Sequence, residues 1–201
     1  MIKNIIFDLG NVLLNYKPME FLLRFTTNQE RINGFITKVS FSQTWFELDR
    51  GTLSLEKAKQ ILSSRYPEEL DLLVPYFEHW LEILTPIQDR IKLLEPLKKK
   101  GYKLFILSNF IKEAFKHVID HYDFFSLFDG RVISYEEKVI KPEKAIYEVL
   151  VNRYNLIPQE CVFLDDHSSF LKPAKQLGMV TILVHQNTDL HVEFRKINII
   201  L

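Results

Sequence analysis

The chain has 201 residues, 47% of them hydrophobic and 26% charged. This is the composition of a folded globular chain, long enough to bury an ordinary core as one domain or as a core with a smaller insertion. Twenty-six basic residues balance 26 acidic ones, so no net positive charge marks a nucleic-acid binder, and the single cysteine, Cys161, excludes an internal disulfide or a cysteine-rich zinc site. No stretch approaches the roughly 18 apolar residues of a membrane span. The first apolar runs are too short for a signal segment, interrupted as they are by Lys3, Asn4 and Asp8. The default expectation is a cytoplasmic protein with no membrane association, no nucleic-acid partner and no obligate protein partner.

In chain order, Ile2 to Leu9 (I-K-N-I-I-F-D-L) predicts a buried strand that ends at Asp8 and turns at Gly10-Asn11. From Asn15 to Leu84 no strand is convincing. Helical patterns fill that interval, at Met19 to Phe25, Glu30 to Val39, Gln43 to Asp49, Ser54 to Ser63 and a long one from Glu68 to Leu84. Ile87 to Lys100 predicts a helix with a basic end, stopped by Gly101. Further strands are predicted at Tyr102 to Leu107, Arg131 to Ser134, Cys161 to Leu164 and Val180 to Val184. Helices are predicted at Lys112 to His121, Glu143 to Tyr154 and Ser168 to Leu177. Strands alternating with helices indicate an α/β fold, a Rossmann-like parallel sheet flanked by helices. The expected division is a core of residues 1–14 and 85–201, interrupted by an inserted helical cap of residues 15–84.

The unusual polar residues fall at the carboxyl ends of these strands. Asp8 ends the first, Ser108 and Asn109 the second, Asp165 and Asp166 the fourth, and Lys141 lies in the loop after the third. In open α/β sheets that edge is where ligands bind. Three carboxylates gathered there repel one another. A pair of unit charges ~4 Å apart costs about 4 kcal/mol at an effective dielectric near 20, so the cluster needs a cation or protons. Hard carboxylate oxygens suit Mg²⁺, which takes one or two carboxylates plus a substrate phosphate. Lys141 adds positive charge, and Ser108 and Asn109 add neutral donors. Together they describe a phosphoryl pocket with a carboxylate available as nucleophile.

The segments F-D-L-G-N-V (Phe7 to Val12), L-S-N (Leu107 to Asn109), K-P-E-K-A-I-Y (Lys141 to Tyr147), F-L-D-D-H (Phe163 to His167) and L-G-M (Leu177 to Met179) resemble, in order and spacing, the haloacid dehalogenase-like hydrolases. The resemblance is to phosphatases with a helical cap after the first strand, and it extends to a bacterial glucose-1-phosphate phosphatase subgroup with a similar D-L-G-N-V segment. It implies a Mg²⁺-dependent phosphatase acting on a small phosphorylated metabolite, a sugar phosphate by preference, through a phosphoaspartyl intermediate on Asp8. It further implies that Ser108 holds the transferring phosphoryl group with Asn109 beside it, and that Lys141 neutralises nucleophile and phosphate. The metal ligands would be Asp8, the main-chain carbonyl of Gly10, Asp166, and Asp165 directly or through water.

The chain departs from that pattern at Gly10, where most family phosphatases carry a second aspartate as general acid and base. General acid–base help is worth ~10²–10⁴-fold, so the expected preference is for good leaving groups such as anomeric sugar phosphates or acyl phosphates, unless another group serves. Phe170 and Pro173 also depart from relatives and are expected to affect packing. His167, beside the acidic pair, is weighed as the replacement acid but reads more simply as a hydrogen-bonded loop histidine. Trp45, Glu47 and Arg50 in the insertion read as a buried aromatic with a solvated charge pair, with reach into the pocket as the alternative. Cys161 reads as a small core residue. Three rival functions remain: a dehalogenase in which Asp8 attacks carbon without a metal, a receiver-like phosphate-sensing module, and a binding protein without catalysis.

Overall fold

The computed structural model describes residues 1–200. Five strands form one parallel sheet in the order β3-β2-β1-β4-β5: β1 (Asn4–Phe7), β2 (Lys103–Ser108), β3 (Gly130–Ile133), β4 (Cys161–Asp165) and β5 (Val180–Leu183). Every strand pair is parallel, with Phe7 in register with Ile106 and Leu164. The central strand is buried along its length, as expected where helices cover both faces. The pleat sorts its side chains. Ile5 and Phe7 join the core on one face, while Ile6 joins Phe105, Leu107 and Phe163 on the other.

Between β1 and β2 lie α1 (Pro18–Leu22), α2 (Gln29–Lys38), α3 (Gln43–Arg50), α4 (Leu55–Arg65) and α5 (Leu70–His79), followed by α6 (Gln88–Ile91) and α7 (Leu94–Lys99). The first five form the helical insertion. Its aromatic centre is Tyr76, with the rings of Phe21, Phe35 and Trp45 within 6.1 Å of it. These residues belong to the same buried cluster as Ile5 and Phe7, so the insertion and one sheet face share a continuous core. The chain leaves and returns side by side: Asn15 N–H donates to Thr85 O, and Ile87 N–H to Leu13 O.

The remaining helices are α8 (Lys112–His121), α9 (Ser134–Glu137), α10 (Lys144–Arg153), α11 (Ser168–Gln176) and α12 (Leu190–Lys196). No described helix is long and apolar enough to cross a membrane.

The helices differ from expectation in three places. The single helix predicted over Ile87 to Lys100 is two, because Pro96 has no N–H to donate and is seated in the first turn of α7. The long helix predicted from Glu68 to Leu84 is a 3₁₀ turn at Pro67–Glu69, then α5, then a second 3₁₀ turn at Trp80–Ile83, with Pro75 inside α5. Helices α9 and α12 were not predicted; α12 is capped by the preceding Asp189, whose carboxylate accepts the N–H of His191 and Val192.

Candidate active site

Asp8 follows β1, and its N–H donates to Leu164 O of the neighbouring strand. The chain then closes a tight turn in which Leu9 O accepts the N–H groups of Val12, Leu13 and Leu14 at 3.2, 2.9 and 2.8 Å. Asn11 adopts φ +52° there, a left-handed conformation that asparagine tolerates better than most residues. Its side chain ties the turn to the acidic pair. Nδ2 donates to Asp166 Oδ2 at 3.0 Å, and Oδ1 accepts Tyr16 N–H at 3.1 Å. Arg90 of α6 braces the turn from below, donating to the carbonyls of Asn11 and Val12 and, through its other nitrogen, to those of His185 and Gln186. Burial lowers its pKa and Asp166 raises it.

Asp8, Asp165 and Asp166 each offer an oxygen within 4.8 Å of the others. Lys141 Nζ lies between two of them, 2.9 Å from Asp8 Oδ1 and 2.6 Å from Asp165 Oδ2, with the lysine side chain 1% exposed. The ammonium is also flanked by the rings of Phe163 and Phe170, at 5.5 and 5.0 Å. Phe170 thus packs on the site lysine. Asn109 accepts Lys141 N–H at 2.7 Å and donates to Lys141 O at 3.0 Å, so its amide pins that peptide. Ser108 is 1% exposed, and among the described residues its hydroxyl reaches only Asn109 O, at 3.5 Å. The Lys141–Pro142 peptide is cis, and α10 starts two residues after Pro142.

Burial lowers the Lys141 pKa, but Asp165 and Asp8 outweigh it and hold the ammonium well above its usual range. Burial pushes the Asp165 carboxyl up to about 7, against Lys141. The contact at 2.6 Å decides between these opposing tendencies, and the pair is ionised. Burial and then Asp8 also raise Asp166. With all three carboxylates ionised, the single ammonium leaves two negative charges uncompensated. One buried oxygen, Asp8 Oδ1, has no hydrogen-bond donor aligned on it even though Lys141 Nζ is close. Both Asp165 oxygens are engaged, by Lys141 and by His167 N–H. Asp166 Oδ1 has only His167 Nε2, 3.9 Å away. The charge and the hard oxygen donors fit a divalent cation such as Mg²⁺.

The cluster floors a cleft of about 560 Å³. Its upper wall comes from the insertion: Ile36, Phe41, Trp45, Phe46 and Asp49. Phe41 is 60% exposed. Of the three insertion residues weighed in the sequence, Trp45 reaches the cleft while packing on Tyr76 and Trp80. Glu47 bonds Gln43 and Thr52 on the outside of α3. Arg50 pairs with Glu143 of the core. His167 is at the rim, half-exposed, its ring 5.0 Å from Phe170. Asn11, Arg90 and Asp49 were missed as site residues. For Asp49 the signal was available: it stands one helical turn after Trp45 and shares its face.

A sequence profile of the haloacid dehalogenase-like hydrolases matches residues 2–178. The chain is 29% identical over 170 residues to mouse bifunctional epoxide hydrolase 2; the match covers 80% of this chain but only 29% of that protein. It is 25% identical to the sesquiterpene phosphatase astK of Aspergillus oryzae, covering 97% of this chain and 96% of the relative. It is 26% identical to the D-ribitol-5-phosphate phosphatase of Bacteroides thetaiotaomicron, covering 94% and 95%. Among solved structures, a HAD family enzyme of Bacteroides thetaiotaomicron in complex with magnesium and inorganic phosphate superposes with a TM-score of 0.74 at 24% identity, covering 97% of this chain and all of that one. With more than half its length matched and the fold shared, the chain belongs to the haloacid dehalogenase-like hydrolase family.

Proposed function

We propose that this chain is a Mg²⁺-dependent phosphatase that hydrolyses a small phosphorylated metabolite through a phosphoaspartyl intermediate on Asp8. The carrying observation is the buried triad of Asp8, Asp165 and Asp166 bridged by Lys141, with two negative charges left for a divalent cation. Asp8 and Asp166 would hold the metal with the Gly10 carbonyl; Asp165, engaged on both oxygens, would act through Lys141 or water. Mg²⁺, when bound, offsets charge on the phosphoryl oxygens and orients them for in-line attack. Asp8 supplies the attacking oxygen. Lys141 and the Ser108 hydroxyl stabilise the equatorial oxygens. Asn109 keeps Lys141 in place through its main chain. In this reading residues 15–84 are the cap and residues 1–14 with 85–201 the core.

The first reading of the substrate is a sugar phosphate, supported by the D-ribitol-5-phosphate phosphatase among the relatives. A second reading, a phosphate monoester with an apolar body, is favoured by the aromatic and aliphatic upper wall of the cleft. The sesquiterpene phosphatase supports it too. A dehalogenase reading is disfavoured by charge: a haloacid anion entering this site without a cation meets two unbalanced carboxylates.

The test is phosphate release from matched panels of sugar and alkyl or prenyl monophosphates, with Mg²⁺ and with chelator, using Asp8→Asn as control. Metal-dependent release that the control lacks is expected. Halide release from 2-haloacids in chelator, with no phosphate release, would replace the proposal with the dehalogenase reading.

A further inference from the structure

The open chemical question is the proton. With glycine at position 10, no carboxylate two residues after the nucleophile serves the leaving group. Gly10 is not required by the backbone: a Cβ built there meets only Tyr16 Cβ, at 4.0 Å. The room is therefore real, and it faces the insertion. Gly10 and Asp49 line the same two cavities, the large cleft that contains Asp8 and a smaller adjoining one of about 100 Å³.

Among the described residues Asp49 has no ion pair and its carboxylate has no hydrogen-bond partner. Its main chain, in contrast, is anchored on the core. Ser134 Oγ donates to Asp49 O, Lys138 Nζ to Gly51 O, and Arg50 to Lys138 O and Glu143. Gly51 permits the approach: it takes φ +71°, and a Cβ there would lie 2.7 Å from Tyr135 O. Three consecutive residues are thus fixed to the core while one carboxylate is left facing the reaction centre.

We propose that Asp49 is the general acid and base of this reaction, delivered by the cap in place of the aspartate absent at Gly10. The proposal rests on the phosphatase reading above. As an Asp8 oxygen bonds to phosphorus, the P–O bond to the leaving group breaks and the leaving oxygen takes the proton of the Asp49 carboxyl. Water then attacks phosphorus of the aspartyl phosphate and gives its proton to the Asp49 carboxylate. The P–O bond to Asp8 breaks, inorganic phosphate leaves, and both side chains return to their starting states. Asp49 is suited to this. Burial, with Lys141 opposing it and Asp8 adding to it, raises its carboxyl to about 7, so near neutral pH both its acid and its base form are populated. The phenols of Tyr16 and Tyr76 are the other titratable groups on this side of the cleft, and both are raised. Arg50 and Glu47 are turned away into pairs of their own.

The test is single-turnover formation of the phosphoenzyme by wild type and Asp49→Asn, with Mg²⁺, from an alkyl phosphate and from p-nitrophenyl phosphate. The nitrophenolate departs without a proton; an alkoxide does not. Asp49→Asn is expected to slow the alkyl substrate by ~10²–10⁴-fold and the aryl substrate by far less, a divergence that a merely structural role does not produce. Equal slowing of both, or slowing of neither, overturns the proposal. If wild type forms no phosphoenzyme from either ester, the phosphatase reading falls and this one with it. Should Asp49→Asn melt early, Asp49→Glu decides, since it keeps a proton donor: an alkyl-to-aryl ratio near wild type supports the role, and a collapsed ratio refutes it.

Discussion

Lys141→Met isolates the electrostatics of the site from its packing. Methionine has similar length and fits between the rings of Phe163 and Phe170, now 5.5 and 5.0 Å from the ammonium. What is lost is one positive charge 2.9 Å from Asp8 and 2.6 Å from Asp165. At an effective dielectric near 20 each contact is worth roughly 6 kcal/mol before desolvation is charged against it. Breaking a buried pair by removing one partner costs ~3–5 kcal/mol net. For a chain of this size, at about 2–4 °C per kcal/mol, the metal-free variant should melt roughly 6–20 °C below wild type. Acidification should narrow the gap, because protonated carboxyls no longer need the ammonium. Mg²⁺ should narrow it too, since it compensates the same charges. The assay is calorimetry at pH 5 and pH 8, with Mg²⁺ or chelator, alongside turnover, which should fall by ~10²–10³-fold. A metal-free variant that melts within about 2 °C of wild type at pH 8, or a gap that widens on acidification, would refute the charge argument.

Three further outcomes are expected. The Asp49 contribution to metal-free stability should fall as pH rises from about 4 to about 7, since its folded carboxyl, raised by burial to about 7, keeps a proton that the unfolded chain has already released; the urea midpoint of wild type relative to Asp49→Asn should decline over that range. Glu143→Gln removes a partly exposed pair with Arg50 and should cost no more than ~1 kcal/mol of global stability, while amide exchange around Arg50 and Gly51 speeds up. Arg50 holds the Glu143 carboxyl below its ordinary range, so this contribution is complete above that ordinary range and lost as pH falls through the depressed pKa. Finally, Gly10→Asp in an Asp49→Asn background should recover at least tenfold on alkyl phosphates, on the order of the lower part of general-acid help, because the position has room for a side chain; phosphate-release kinetics on the double variant check this.

The sheet was legible because its strands are short apolar runs ended by polar residues: I-I-F before Asp8, F-I-L before Ser108, V-F-L before Asp165. A buried parallel strand needs that pattern, and its end is where side chains meet a ligand, so the same residues announce fold and site together. The insertion was legible as helical but not in its detail. Glu47, Asp49 and Arg50 look alike in sequence as charges near the end of α3. About 100° of rotation per residue turns Glu47 toward Gln43, Arg50 toward Glu143 and Asp49 into the cleft. Arg90 was hidden for a different reason. It lies in a segment that reads as one amphipathic helix, and only the folded chain brings together the two carbonyls of the turn after Asp8 and those of His185 and Gln186, the four that let it be buried.

The two halves of the site are built to different tolerances, and this bears on mechanism. Asp8, Lys141, Asp165 and Asp166 are held by the central strands, the Asn11 bridge and the Asn109 clamp, all within the sheet edge. Asp49 is held by a handful of contacts at the end of α3, some of them solvent-exposed. Loosening those contacts leaves the nucleophile and its charge partners where they are. On the Asp49 assignment it therefore removes proton transfer without removing phosphoryl attack. Defects in the seating of α3 should then appear as a selective loss on poor leaving groups, whereas defects at the sheet edge remove attack on every substrate alike. A chain with its acid at position 10 has no such division, because nucleophile and acid then ride on one rigid turn.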